Sequence, residues 1–423
     1  MVELGAELGY AKVSIAGVIS GAGVSRPTFY EYFSDKDQCF LAALGAAAEL
    51  LSAQLRRRVA DTAPELAELA MLTECIRFAR HHPEQARLLF CEVLAGGPRS
   101  LDVRDRLIHD TVVLLHDTHS RRPADAPAPD LPPWNAVATV HWMLSQRLRS
   151  NNSNFDELER ELTSWIAGYT RPVHEHRWRT IEPDQLPLPP PSPFESELPA
   201  EAPGVLPPGR PRISRGDVAR NQRERLMKAT ATVAFEKGYN AASITEIIAV
   251  ARLDARVFYA HFAGKQQVFL AAHQLGFEHT MAVVAGAFFS ASEWPERIWR
   301  GILAGSQFQA SHPLLTHMLY VQSYAIGAEG IQRIEATHAA FKLFLGEGNQ
   351  NAVKTRSDTT MEAIIAANFE IAFHLSRQGR GEEIARCAAL MTYLCLAPFL
   401  GPRHATELIA SKVINGGEQQ QRS

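Results

Sequence analysis

The chain has 423 residues and a formal net charge of −3. This length fits two to four domains, and the near balance of charge excludes a protein that coats nucleic acid over its whole surface, although it permits local basic patches. The five scattered cysteines form no CxxC pair, which predicts reduced core thiols and a cytoplasmic protein. No signal peptide is evident, and the longest apolar run, residues 388–400, is shorter than the ~20 residues of a membrane helix. We therefore expect no membrane association.

The first predicted elements form a pair of short helices joined by a turn. Ser14 is a good N-cap for a helix with apolar residues on one face. Gly23 stands where a tight turn favours positive φ, and Ser25 caps a second helix over residues 26–32. A third helix begins near Lys36. This pattern is typical of the helix-turn-helix, in which the second helix enters the major groove of DNA.

The rest of the chain divides at a proline-rich stretch. Residues 181–214 predict an extended, semi-rigid linker, because proline fixes φ and removes backbone donors. The segments on both sides have apolar residues at helical spacing and lack alternating Val/Ile/Thr-rich runs. We therefore predict an all-α chain: a helix-turn-helix domain at 1–45, a helical regulatory domain at 46–180, a second helix-turn-helix domain at 215–273 and a second helical regulatory domain at 274–415.

The two halves of the chain resemble each other with a period of about 230 residues. Residues 9–43 align without gaps with residues 238–272, and a shift of one residue then aligns His82-Pro83 with His312-Pro313. Identical pairs in the first stretch are Ser14/Ser243, Ile15/Ile244, Ile19/Ile248, Ala22/Ala251, Phe29/Phe258, Tyr30/Tyr259, Phe33/Phe262 and Lys36/Lys265. Each His-Pro pair is predicted to open an apolar helix. The pattern indicates the duplication of one whole unit.

A family resemblance rests on residues 9–36, which read Gly-Tyr-x3-Ser-Ile-x2-Val-Ile-x2-Ala-Gly-Val-Ser-x-x-Thr-Phe-Tyr-x-Tyr-Phe-x-x-Lys, and on their repeat at 238–265. This motif resembles the N-terminal domain of TetR-family repressors over about 45 residues in each copy. The resemblance implies a three-helix DNA-binding head followed by a larger, variable helical domain that binds a ligand and dimerises.

The same resemblance implies which residues touch DNA. The tyrosine of the recognition helix and the lysine that opens the next helix would contact phosphates, and residues early in the recognition helix would read bases. These roles suit the side chains, because a helix N-terminus with an ammonium group binds anions and arginine binds guanine through two donors. The predicted DNA-contacting residues are Arg26, Pro27, Thr28, Tyr30 and Lys36 in the first copy and Arg252, Ala255, Arg256, Tyr259, His261 and Lys265 in the second. The tyrosines have packing as their alternative role, and the arginines have a solvated or phosphate-binding one. The residues predicted to lie in the core are Phe29, Phe33, Phe258 and Phe262.

Each copy departs from the family pattern in a different way. Met1 aligns with Thr230, inside the first helix of copy two, so copy one lacks about a turn and a half of helix. Either the true start lies upstream, which we favour, or the first head is clipped. The residues that clipping would expose are Ile15, Val18 and Phe29. In copy two Arg252 replaces the turn glycine, at a cost of about 1 kcal/mol if its φ is positive.

The distribution of charge favours the second head as the stronger DNA binder. The basic residues leading into copy two are Arg210, Arg212, Arg215, Arg220, Arg223, Arg225 and Lys228. Copy one has fewer basic residues and more acidic ones, namely Lys12, Arg26 and Lys36 against Glu3, Glu7, Glu31, Asp35 and Asp37. Since phosphate affinity grows with each neutralised charge, we predict tighter binding by copy two.

The regulatory domains are expected to bind a small-molecule effector that the sequence does not name, and no cofactor is predicted. His116 and His119 share a helix face near His109, but no cysteine or carboxylate set completes a metal site, so no metal is predicted. Hydrolase, nucleotide-binding and metalloprotease motifs are absent, which predicts a protein that is not an enzyme.

The predicted partners are double-stranded DNA and a second copy of the same fold, supplied either by the other half as an intramolecular pseudo-dimer or by another chain as a homodimer. A linker of ~30 residues at about 3.1 Å each spans about 90 Å, which suffices for the halves to pair. Because the two recognition helices differ, a pseudo-dimer predicts an asymmetric operator. The alternative function is a TetR-like ligand-binding or interaction protein whose DNA binding is weakened or lost.

Overall fold

A computed structural model describes residues 1–122, 130–150, 154–169, 214–352 and 355–420. All regular elements within these ranges are helices, which confirms the predicted all-α class. The predicted proline-rich linker lies outside the described residues, apart from its last position.

The helices are numbered α1 to α20 in chain order. Those of the first half are α1 (Val2–Leu8), α2 (Ile15–Ala22), α3 (Arg26–Tyr32), α4 (Lys36–Ala60), α5 (Ala67–His81), α6 (Pro83–Phe90), α7 (Pro98–His119), α8 (Pro133–Arg149) and α9 (Phe155–Ala167). Those of the second half are α10 (Arg215–Lys237), α11 (Ile244–Ala251), α12 (Ala255–His261), α13 (Lys265–Phe288), α14 (Trp294–Ser311), α15 (Pro313–Tyr320), α16 (Ala328–Gly346), α17 (Gly348–Asn351), α18 (Asp358–Arg377), α19 (Ala388–Leu400) and α20 (Pro402–Gln420). Both predicted His-Pro helix starts are confirmed, at α6 and α15.

The helices form two compact units that do not follow the two sequence halves. Unit 1 contains the described residues up to 169 together with Phe341–Glu370 and Tyr393–Glu407. Unit 2 contains the described residues from 214 to 340 together with Ile371–Thr392 and the chain from Leu408 onward. Helices α18 and α19 of the second half therefore contribute residues to both units.

In unit 1 the long helix α4 connects the first head to the regulatory helices. Leu44, Leu51 and Leu55 are fully buried along it. They lie on one face, because spacings of seven and four residues bring side chains of an α-helix to the same side. This face packs against α5, α6 and α7. Burial of each leucine stabilises the fold by about 2 kcal/mol, so α4 is fixed to the regulatory helices.

Unit 1 also joins helices from the two sequence halves. The side-chain amide of Asn135 on α8 donates a hydrogen bond to the carbonyl of Ala367 on α18 at 3.0 Å. The hydroxyl of Tyr169, just after α9, donates to the carbonyl of Leu394 on α19 at 2.8 Å. The core of unit 1 therefore includes α8 and the end of α9 together with second-half residues of α18 and α19.

In unit 2 the closest helix pair is α13 with α14. Gly305 on α14 lies so near Val284 on α13 that an added Cβ would come within 2.8 Å of its side chain. At Gly301, one turn earlier, an added Cβ would lie 3.5 Å from the same valine. Small residues on α14 thus allow the close approach of the two helices.

Two helical segments, Lys36–Ala60 and Gly381–Leu400, are long and apolar enough to cross a membrane by length and composition alone. The second is longer than the apolar run expected from the sequence, because a 3-10 turn over Gly381–Cys387 continues into α19. Of their most apolar stretches, 33% and 72% are buried inside the structure. Helices that pack into a protein core have the same composition, so this feature alone does not favour a membrane location.

Candidate nucleic-acid interface

The first head holds a short recognition helix, α3, in the predicted helix-turn-helix arrangement. Ser14 caps α2 by accepting the backbone N–H of Gly17 at 3.1 Å, and Ser25 caps α3 by accepting that of Thr28 at 3.2 Å. Gly23, between the helices, has a φ of 64°. The predicted caps and turn are confirmed, because each depends on residues within one helical turn.

Helix α3 buries the aromatic side chain of Phe29 and exposes that of Tyr30. Phe29 is 4% exposed, while Tyr30 is 45% exposed and packs edge-on against the Phe29 ring at 5.4 Å. Arg26 and Pro27 are exposed at the start of the helix. Thr28 is half-buried, and its hydroxyl lies 2.8 Å from that of the capping serine. Among the predicted DNA-contacting residues of α3, Arg26, Pro27 and Tyr30 are therefore accessible, and Glu31 and Tyr32 of the same helix are exposed as well.

The second head repeats this arrangement around α12. Asp254 caps the helix by accepting the backbone N–H of Val257 at 2.8 Å. Ala255 and Arg256 are exposed in the first turn, and Tyr259 is 60% exposed. The side chains predicted to read bases in the second head are thus accessible, apart from half-buried Val257.

The buried side chain of Arg225 stabilises the turn between α11 and α12. Arg252 has a φ of 51° and is the one non-glycine residue with positive φ among those described, so the predicted backbone strain is present. Arg225 of α10 donates from its guanidinium to the carbonyls of Ala251 and, at 3.0 Å, Arg252. Burial, followed by repulsion from Arg252, lowers the pKa of Arg225. Arg225, which the sequence placed among the phosphate-neutralising residues, instead stabilises the turn.

The lysines that open α4 and α13 bind the backbone of their own heads. The Lys36 ammonium donates to the carbonyl of Tyr10 at 3.2 Å and lies 4.2 Å from the centroid of its ring. The Lys265 ammonium donates to the carbonyls of Tyr239 at 2.9 Å and Ala242 at 3.0 Å. Burial lowers the pKa of Lys265. Both lysines therefore fix the loop before the helix-turn-helix, and their contact with phosphate stays a prediction.

His261, the last residue of α12, also has a partner within the head. Its Nε2 lies 3.1 Å from the side-chain oxygen of Gln222 on α10. Burial, followed by the charge of Arg223, lowers its pKa. The imidazole is therefore neutral near pH 7 and suits a donor to Gln222, which links α10 to α12.

The short α1 does not open the core of the first head. It has 7 residues against 23 in α10, from which we expected exposure of Ile15, Val18 and Phe29. This expectation is wrong for Val18 and Phe29, which are 6% and 4% exposed, because Leu4 of α1 packs against their cluster. Ile15 is half-buried, like its counterpart in the second head. Phe33, predicted to be core, is half-buried, whereas its counterpart Phe262 is fully buried beneath the guanidinium of Arg223 on α10.

Residues 2–43 and 226–272 match the family model described as bacterial regulatory proteins, tetR family. These two segments coincide with the two heads. Both heads therefore match the DNA-binding domain of this family. Comparison with curated protein sequences gives no match.

Comparison with solved structures gives matches to transcriptional regulators that cover 41–44% of this chain. One is the fatty acid degradation regulator FadR from Bacillus halodurans, with 15% identity, a TM-score of 0.38, and coverage of 41% of this chain and 94% of that one. Another is the transcriptional regulator FadR from Bacillus subtilis in complex with stearoyl-CoA, with 15% identity, a TM-score of 0.37, and coverage of 42% and 97%. A TetR-like transcriptional regulator from Rhodococcus sp. RHA1 has 18% identity, a TM-score of 0.34, and coverage of 44% and 96%.

The basic surface that leads into the second TetR-type head is smaller than predicted. Of the predicted basic residues on α10, Arg215, Arg220 and Arg223 are exposed and Lys228 is half-buried. Arg225 is buried, as described above, and Arg210 and Arg212 lie outside the described residues. Exposed positive charge on α10 nevertheless exceeds that on α1, which carries no basic residue.

A backbone hydrogen bond joins each TetR-type head to its regulatory helices. The N–H of Tyr10 donates to the carboxylate of Glu92 at 2.7 Å, and the N–H of Tyr239 donates to the side-chain oxygen of Gln322 at 2.8 Å. Burial raises the pKa of Glu92. Sequence reasoning missed this joint, although the internal repeat aligns Glu92 with Gln322 and could have identified it. An equivalent hydrogen bond therefore joins the head to the regulatory segment in both halves of the chain.

The predicted histidine group of the first regulatory domain forms no metal centre. His119 lies 2.6 Å from the carboxylate of Glu68, which is buried. No group of three or more His, Cys, Asp or Glu side chains in the described part of the chain is arranged to hold a metal ion.

Proposed function

We propose that the protein is a sequence-specific DNA-binding transcriptional regulator of the cytoplasm, acting as a repressor whose DNA binding a small-molecule effector modulates. The observation that carries this proposal is the exposure of arginine and tyrosine on a recognition helix whose phenylalanine is buried. In the second head Phe258 is fully buried, while Arg256 and Tyr259 are exposed. Such a helix suits the major groove, where arginine can bind guanine through two donors.

The second head is the stronger DNA binder in this proposal. It has the full-length α10 with three exposed arginines, and its turn is stabilised by Arg225. The first head has the shorter α1 and a half-buried Phe33. Since each exposed cation adds to phosphate affinity, the second head would dominate binding at physiological salt.

We further propose that the two halves of one chain act as a pseudo-dimer. The support is the packing, inside unit 1, of α8 and α9 with residues of α18 and α19 from the other half. The two heads would then read half-sites about 34–36 Å apart, or a multiple of that distance. Because residues 26–28 differ from 255–257, the half-sites would differ in sequence. A perfectly symmetric operator bound by two chains would contradict this arrangement and favour a homodimer of tandem chains.

Fluorescence anisotropy on labelled duplexes from the DNA flanking its own gene tests the function. The full chain is titrated across a salt series beside Arg256→Ala, Arg26→Ala and the control Arg403→Ala, which removes an exposed arginine outside both heads. We expect a steep salt dependence and a loss of about 1–3 kcal/mol for Arg256→Ala, with no change for the control. A weakening by Arg26→Ala would show that the first head takes part.

One alternative is a TetR-like ligand-binding or interaction protein with weakened or lost DNA binding. The observation that favours it is the strained turn at Arg252 in the second head, where φ is 51°. Equal affinity for genomic and random duplexes at low salt, unaffected by Arg256→Ala, would establish this alternative and refute the regulator proposal.

A further inference from the structure

The strongest unexplained feature of unit 1 is a buried ion pair between the two sequence halves. The guanidinium of Arg104 on α7 donates to the carboxylate of Glu370 on α18 at 2.5 Å. Their side chains are 4% and 2% exposed. Two charges removed from water in this way are costly unless each has the other, so the pair restricts what can occupy either position.

The surroundings of the pair offer little to replace either charge. It lines a small cavity together with His141, Trp142 and Ser145. Burial, followed by the charge of Arg104, lowers the pKa of His141 to about 3, so this histidine is neutral and cannot serve as a second cation for Glu370. The carboxylate of the adjacent Asp105 lies 3.4 Å from Arg104, which is long for a charged hydrogen bond. Arg104 and Glu370 therefore depend on each other.

In the internal repeat, the positions equivalent to Arg104 and Glu370 hold apolar residues. Gly97 and Gly327, which precede α7 and α16 with φ of 85° and 89°, fix the alignment of these helices. The same offset aligns Ala167, the last residue of α9, with Ala397 in the last turn of α19. With this offset Arg104 corresponds to Ile334 and Glu370 corresponds to Val140, and both apolar residues are fully buried. Helix α8 contains no Asp or Glu at all.

Other polar contacts between α8 or α9 and the second half also lack an equivalent in the repeat. Asn135 donates to the Ala367 carbonyl and Tyr169 donates to the Leu394 carbonyl. Their second-half counterparts by the same offset are Ile365 and Phe399, whose side chains have no donor. In the other direction the Ser357 hydroxyl donates to the carboxylate of Glu161 on α9, whose counterpart is the apolar Met391. The halves have diverged into complementary surfaces rather than two copies of one surface.

We infer that the Arg104–Glu370 pair selects the pairing of unlike halves: the α7–α8 surface of the first half accepts a second half of this chain and rejects another first half. This inference rests on the proposed pseudo-dimer. Two first halves paired in the same way would each bury Arg104 opposite Val140, and two second halves would each bury Glu370 opposite Ile334. A first half paired with a second half instead forms one ion pair, Arg104 with Glu370, and one apolar pair, Val140 with Ile334. Specificity arises because the wrong combinations bury unpaired charges.

Charge reversal in the full chain tests the inference. A chain with Arg104→Glu has glutamate at both positions of the pair, and a chain with Glu370→Arg has arginine at both. Neither chain can therefore form the ion pair within itself. Each variant alone should shift the pairing equilibrium on the order of 100-fold away from the wild-type state. Mixed in equal amounts, the two variants should form a one-to-one complex of two chains, seen by native mass spectrometry. Failure of the mixture to form more of this complex than either variant with wild type would overturn the inference.

Two further variants keep the test decisive if the single variants unfold. The exchanged pair, Arg104→Glu with Glu370→Arg, should restore the wild-type mass and thermal midpoint, and a chain as unstable as the single variants would overturn the inference. The apolar pair, Arg104→Ile with Glu370→Val, should fold but populate additional assemblies, because it lacks the selecting charges. A mass distribution identical to wild type would refute the role in selection. DNA binding is measured separately, so loss of the proposed function is distinguished from loss of pairing selectivity.

Discussion

Replacement of Arg252 by glycine should stabilise the second head, because this residue holds a left-handed conformation at φ 51° without being glycine. The left-handed conformation costs an L-residue roughly 1–2 kcal/mol, and the greater freedom of glycine in the unfolded chain offsets roughly 0.5–1 kcal/mol of that. Arg252 also repels the buried Arg225 beneath it, as the lowered pKa of Arg225 indicates. We therefore expect Arg252→Gly to stabilise the second head by about 1 kcal/mol.

Hydrogen exchange measured on peptides of α11 and α12 in the full chain is the suitable assay, because it reports on the head rather than on the larger units. A gain of about 1 kcal/mol slows exchange by opening about fivefold. The matched control is Gly23→Ala in the first head, where φ is 64° and an added Cβ meets no atom within 4 Å. This control should speed exchange in α2 and α3 by a similar factor, through backbone strain alone. Unchanged or faster exchange in α11 for Arg252→Gly would refute the argument from strain.

Three other perturbations test the joints of the structure. Glu92→Gln, which copies Gln322 of the second half, should stabilise unit 1 at neutral pH. The folded-state pKa of Glu92 is raised, so its protonated carboxyl favours folding in acid. This contribution is lost as the pH rises through the folded-state pKa. Urea unfolding at several pH values should show the gain vanish in acid, and a gain independent of pH would contradict the assignment. Lys265→Met should destabilise the second head by about 1–3 kcal/mol, since it leaves carbonyl groups without a charged donor, and hydrogen exchange in α11 that stays at the wild-type rate would contradict this. The equivalent Lys36→Met should cost less, because Lys36 makes one such bond. Tyr169→Phe should lower the midpoint of urea unfolding, with a loss of about 1 kcal/mol from the buried hydroxyl bond, and an unchanged midpoint would show that this bond contributes nothing.

The local features of the heads could be predicted from the sequence, because capping and turn formation depend on nearby residues. Ser14 and Ser25 cap the helices that the sequence assigned to them, and α3 spans the predicted residues 26–32. The strained turn at Arg252 was foreseen for the same reason, since its glycine counterpart lies at the same place in the repeat.

Partners that come from distant parts of the chain could not be predicted. Arg225 looked like one more cation in a basic segment, yet its guanidinium binds carbonyls 26 and 27 residues away. Lys36 and Lys265 likewise looked available for phosphate, yet they bind the loop before the helix-turn-helix. A sequence gives the charge of a side chain but not the carbonyl groups that surround it in the fold, and here these groups decide which cations remain free for DNA.

The composition of unit 1 also sets the order of events during synthesis. The Arg104–Glu370 contact joins residues 266 positions apart, and a ribosome adds about 5–20 residues per second. The nascent first half therefore waits roughly 13–50 s for its partner helices. During that interval the surfaces of α8 and α9 that pack against α18 and α19 lie in water, and Arg104 of α7 lacks Glu370. We therefore expect the nascent first half to be prone to association with other nascent chains until the end of the chain emerges.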